Sequence, residues 1–157
     1  TYNEKYGIIM KAGKAVGLDY TSTGNFQYEA LNAACGSGTN VGIASTSAYT
    51  TTGVYYHVVA TIDYTGGNTV MTLYVNGTQN GTTTYASNHT CTSSTYATYL
   101  TNPWIIGAAA PTAGSSQWDS DATFGPVRIY NRALSAYEVL QNCIAQKGRY
   151  GVTCKTP

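Results

Sequence analysis

Seven carboxylates and two histidines carry the acid–base chemistry open to this chain: Glu4, Glu29, Glu138, Asp19, Asp63, Asp119 and Asp121, with His57 and His89. Glycoside hydrolysis needs two carboxyl groups facing one bond, and these are scattered, with no E-x-D-x-x-E run among them. A nucleophilic triad would rest on His57 alone, since no Ser sits in a nucleophile elbow. Catalysis is therefore not expected, and His57 reads as a satisfied histidine in or near the core. Asp119 and Asp121, one residue apart in a loop, could hold a hard cation such as Ca²⁺ with nearby carbonyls, or form a solvated acidic turn.

Flat rings offer the other kind of chemistry. Tyr49, Tyr85, Tyr96, Tyr99 and Trp118 fall in or beside loops, where aromatic faces stack on sugars or grip protein partners. The same rings could instead cover sheet faces. Four cysteines, Cys35, Cys91, Cys143 and Cys154, make no C-x-x-C pair, so a metal cluster is not expected. Their even number in a hydroxyl-rich chain favours two disulfides, for which three connectivities exist. Cys143–Cys154 with Cys35–Cys91 is the preferred set, and buried free thiols are the alternative. Three sequons begin at Asn76, Asn80 and Asn88. Thr-rich sequence generates N-x-T by chance, and Asn88, in the longest loop, is the best acceptor if any is used.

Positioning these groups falls to strands and one helix. Tyr6 to Met10, Ala15 to Tyr20, Asn25 to Leu31 and Val41 to Ala44 read as strands, with a turn at Thr21–Gly24. Val54 to Tyr64 is apolar almost throughout and is expected as a central strand covered on both faces. Met71, Leu73 and Val75 alternate with Thr72 and Tyr74, so one face is core and the other shows Tyr and Thr. Asn76-Gly77 suits a type I′ hairpin turn, which needs positive φ twice, and Thr78 to Tyr85 returns. Loops at 86–102 and 108–121 flank a short buried strand over Pro103–Gly107. Phe124 to Tyr130 reads as a last strand. Ser135 then opens a helix with the capping-box spacing to Glu138, stapled by Leu134 and Val139. Ala136, Val139, Leu140 and Cys143 share one face, and Gly148 is the expected stop.

Three of these stretches carry a resemblance. VRIYNRALS at 127–135, YYHVVATID at 55–63 and LYVNG at 73–77 resemble, in order and spacing, motifs of the laminin-G-like, concanavalin A-like jelly-roll family. Tyr55 stands where that family usually has Trp. The resemblance implies an all-β, antiparallel jelly-roll sandwich closed by one short C-terminal α-helix, one domain over 1–157. It also makes His57 structural and allows calcium at a sandwich rim. The tail from Gln141 to Gly151 is similar to endings of such domains in phage virion proteins. The family carries adhesive, glycan-binding and structural roles on one scaffold, so fold does not settle function. Its opening apolar strand has no counterpart here, because only five polar residues precede Tyr6. That strand is expected upstream, or donated by a neighbouring subunit, or dispensed with, and the first residue, not being Met, is consistent with material removed or not shown.

Composition narrows the class. Charged residues are 10% of 157 and the net charge is +1, which leaves no electrostatic footprint for nucleic acid. No run approaches the roughly 20 apolar residues of a spanning helix, so no membrane insertion is expected. A hydroxyl-rich surface points to an extracellular, cell-surface or virion setting. The expected function is a non-catalytic structural or adhesion module, as a subunit of a filament or particle shell with protein partners. The alternative is a carbohydrate-binding module using Tyr85, Tyr96, Tyr99 and Trp118, with or without Ca²⁺.

Overall fold

The computed structural model describes residues 5–11, 16–30, 41–64, 67–85, 103–108 and 119–155. Eight strands form two antiparallel sheets. Lys5–Lys11 (β1), Val16–Thr21 (β2), Phe26–Ala30 (β3), Val41–Ala44 (β4) and Trp104–Ile106 (β8) make five strands in the order β4-β3-β2-β1-β8. Val58–Asp63 (β5), Thr69–Val75 (β6) and Thr78–Tyr85 (β7) make three, in the order β5-β6-β7. Inner-face side chains interdigitate as Leu18, Phe26, Val41, Ile43, Met71, Leu73 and Val75, which form one buried cluster. The expected all-β sandwich with a C-terminal helix is what the chain builds.

At one end the layers lie close. The Gly81 backbone on β7 approaches Ala44 and Ile43 on β4, where a Cβ would stand 2.9 Å from the Ala44 carbonyl oxygen. Tyr85 on β7 clamps the same place, its hydroxyl donating to the Gly42 carbonyl at 2.8 Å and accepting from the Gly42 N–H at 2.9 Å. The layers are thus registered at β4, and the unequal strand numbers leave the β1–β8 end of the wider sheet without a facing strand.

The helix, α1, runs Ala136–Tyr150 and starts as its sequence demands. Ser135 is extended, its hydroxyl accepts from the Glu138 N–H, and the Glu138 carboxylate accepts from the Ser135 N–H at 2.9 Å. Leu134 and Val139 are both buried, together with Tyr74. Arg132 holds the same carboxylate at 3.0 Å. The hydrogen bonds from Arg132, then those from Ser135, lower the Glu138 pKa to about 2. Asn76 and Gly77 have φ of 55° and 84°, the two positive values a type I′ turn requires. Helix α1 seats on that hairpin, because the missing side chain at Gly77 leaves room for Leu140 and Cys143. Cys143 and Cys154 are bonded, as preferred. The bridged tail continues to Lys155, whose N–H donates to the Asn76 carbonyl at 2.9 Å.

Five expectations are corrected. Phe124 to Tyr130 forms no strand: it makes no ladder with any described residue, and Ile129 is 60% exposed. Residues 54–57 lie outside β5, which is an end strand rather than a central one. The strand over Trp104–Ile106 is also an end strand and is exposed, Ile106 by 53%. Tyr74 is not on an open face, because α1 covers it. Gly148 lies inside the helix; Gly151, at φ 65°, ends it by donating to the Lys147 carbonyl. A helix stops where a residue can adopt the left-handed conformation without a Cβ penalty, and Gly148 does not adopt it.

Candidate functional site

The large concavity of the described residues is a groove of about 1320 Å³ where the three-stranded sheet stops short. Its floor is the inner face of β1 and β2, with Ile8, Ile9 and Leu18. Its walls are residues 54–64, which include β5, and the ladder-free stretch 120–134. That stretch is anchored at both ends. Ser120 donates its N–H to the Gly107 carbonyl at 2.8 Å and its hydroxyl to the Gly7 carbonyl at 2.7 Å. At the far end Leu134 packs with Val59 of β5. Between the anchors, Thr123 to Tyr130 runs without a turn or bend.

One end of the groove is a packed aromatic cluster. Tyr20 and Phe26 are cross-strand partners on either side of the Thr21–Gly24 turn. Phe26 meets Tyr49 and Tyr56 at ring separations of 5.3 and 5.9 Å. The Tyr20 hydroxyl donates to the Tyr49 carbonyl at 2.6 Å, and burial raises both phenol pKa values above the ordinary 10.0. These rings meet one another edge to face, which spends their faces on the core. At the opposite rim Tyr55 stands 5.1 Å from Tyr150, with the Arg149 guanidinium over the Tyr150 ring.

His57 also lines the groove. Its backbone is tied to the hairpin, the N–H donating to Asn76 Oδ1 at 3.0 Å and the carbonyl accepting from the Asn76 N–H at 2.7 Å. Its imidazole is not satisfied as expected: Nδ1 is buried with no hydrogen-bond partner among the described residues. Burial first, and the Arg128 charge second, hold its pKa below the ordinary 6.5. A neutral ring beside a cation, with no nucleophile in contact, has no evident catalytic role. Asp63 and Asp121 line the groove from separate segments.

The sequence-derived candidates do not converge. Tyr85 is the clamp between β7 and β4, with its hydroxyl committed. Asp119 and Asp121 are exposed on either side of the anchored Ser120, and the described residues hold no group of three His, Cys, Asp or Glu that could take a metal. Asn76 is engaged with His57, and Asn80 Oδ1 accepts from the Thr46 N–H at 3.0 Å. Tyr96, Tyr99, Trp118, Asn88, Cys35 and Cys91 lie outside the described residues. The groove itself went unread. Tyr20 and Phe26, opposed across a short turn, were the available signal, whereas Tyr56 and Ile129 reach the groove only through tertiary packing.

Residues 1–140 match the family model described as the concanavalin A-like lectin/glucanases superfamily, of laminin-G type. The chain belongs to this family. No curated protein and no solved structure matches it. A laminin-G-like sandwich of this kind is a binding or structural module and is generally non-catalytic. Such domains, and the disulfide, are typical of extracellular proteins, and no helix of the described residues is long and apolar enough to cross a membrane.

Proposed function

We propose that this laminin-G-like chain is a non-catalytic structural or adhesion module. It works outside the cell or on a cell or particle surface and holds another protein through the groove. The observation that carries this reading is the apolar rim: Val54, Val127, Ile129 and Tyr130 are all exposed around one concavity. A contiguous apolar surface of this kind marks a protein contact more often than a solvated face. Sedimentation of the purified chain tests it. Concentration-dependent association that Ile129→Lys abolishes is expected, and a strictly monomeric chain at hundreds of micromolar would refute it.

A second reading is supported by the lectins in the family description and by Tyr55 and Tyr150, two rings beside Arg149 at the groove rim. Ring pairs near a guanidinium suit a sugar. Titration against a glycan panel separates the two readings, since a module that holds only protein shows no saturable sugar.

A further inference from the structure

We infer that the groove is the seat of one β-strand presented by another polypeptide chain, completing the sandwich between β5 and the stretch 123–130. This deepens the proposed function and rests on it, naming the partner as an extended, alternately apolar segment.

Strand arithmetic comes first. The wider sheet has five strands and the narrower three. At about 4.8 Å per strand, two strand widths of the wider sheet, roughly 10 Å, have no counterpart in the facing layer. The stretch 123–130 occupies the border of that gap, starting where Phe124 lies against Gly107 next to β8 and passing toward Leu134 against β5. One strand place remains. An eight-residue strand needs a slab about 4.8 Å wide, 10 Å deep and 26 Å long, or roughly 1300 Å³, and the groove measures about 1320 Å³.

Backbone chemistry agrees with the volume. Among the described strands β5 pairs with β6 alone, and 123–130 makes no ladder. A strand edge along Val58–Ile62 presents donors and acceptors on its outer side, a template for strand addition. Side chains set the pattern of the occupant. Val58, Ala60 and Ile62 pack toward the core while Val59 turns to the helix side. A strand laid alongside must therefore alternate, with apolar side chains over Ile8 and Ile9 and hydroxyl or small ones outward.

The chain has no such strand to spare. Outside the described elements, the stretches 31–40, 86–102 and 109–118 are dominated by Ser, Thr, Asn, Gly and Ala, with no clean apolar alternation over six to eight positions. The occupant therefore comes from outside residues 1–157. Continuity with the family sandwich interface makes an added strand, rather than a globular face, the shape that fits.

The test titrates the purified 157-residue chain with an eight-residue peptide alternating valine and threonine, lysine-tagged for solubility. Its partner probe carries proline at the fourth position, which removes a ladder donor. Expected results are saturable one-to-one binding, a rise of several degrees in Tm, and at least tenfold weaker binding of the proline peptide. Ile129→Lys, an exposed position that should not disturb folding, is expected to weaken binding at least tenfold as well. Absence of saturable binding overturns the inference, and so does equal binding of the two peptides. Slow amide exchange along β5 in the natural polypeptide with no second chain present also overturns it, by assigning the place to a segment in cis. A chain that self-associates yet ignores the peptide loses the strand but keeps the assembly reading. A chain that binds the peptide yet never associates keeps the strand and loses self-assembly.

Discussion

Cutting the bridge between Cys143 and Cys154 separates two accounts of how the helix is held. Cys154→Ala does so cleanly, because Cys143 stays in place as a fully buried thiol and no cavity opens beneath the helix. The bridge closes a loop with a sequence separation of 11. In the chain-entropy relation that separation gives about 9.2 cal/mol/K, or roughly 2.8 kcal/mol at 25 °C. For a domain of this size each kcal/mol moves Tm by about 2–4 °C, so a fall of roughly 6–11 °C is expected. The tail should loosen as well, since Val152 is buried and the Lys155 N–H is bonded to Asn76 only while the tail lies along the hairpin. Thermal unfolding and exchange of the Lys155 amide measure the two effects together. A Tm within 2 °C of wild type with unchanged Lys155 exchange would mean that packing alone holds the tail, and the loop-closure reasoning would be wrong.

Gly77→Ala should cost about 1–3 kcal/mol, from positive φ plus collision with Leu140. Gly53→Ala, at φ 73° with nothing near, should cost about 1 kcal/mol or less; equal losses in chemical denaturation would mean the helix does not rest on the hairpin. Glu138 has its folded pKa lowered to about 2, so its contribution is complete above the ordinary 4.5 and is lost as pH falls toward 2. Glu138→Gln should melt below wild type at pH 6 and with it at pH 2, and parallel curves would refute the cap. His57 has its folded pKa lowered, so the unfolded chain takes up a proton that the fold resists. Wild type should lose Tm below pH 6.5 more steeply than His57→Gln, and matching slopes would show that the imidazole is not the cause.

Local chemistry was legible from residue order. The capping box of Ser135 and Glu138, the Leu134–Val139 staple and the Asn76-Gly77 turn each depend on residues within four positions, and each forms as its sequence predicts. Alternation along Met71, Leu73 and Val75 likewise named their core face. Tertiary structure decided what depends on distant partners. The apolar run from Phe124 to Tyr130 has strand propensity, but a strand exists only where another backbone accepts its hydrogen bonds, and no described residue does so. Val58–Asp63 has the composition of a central strand, yet strand position is set by how many neighbours the sheet supplies, and here β5 has one. Tyr85 looked like a loop-side ring and became a clamp because β4 arrives beside it. The groove belongs to the same class of fact. Its shape comes from five strands facing three, a mismatch between segments far apart in the chain that no short window of sequence contains.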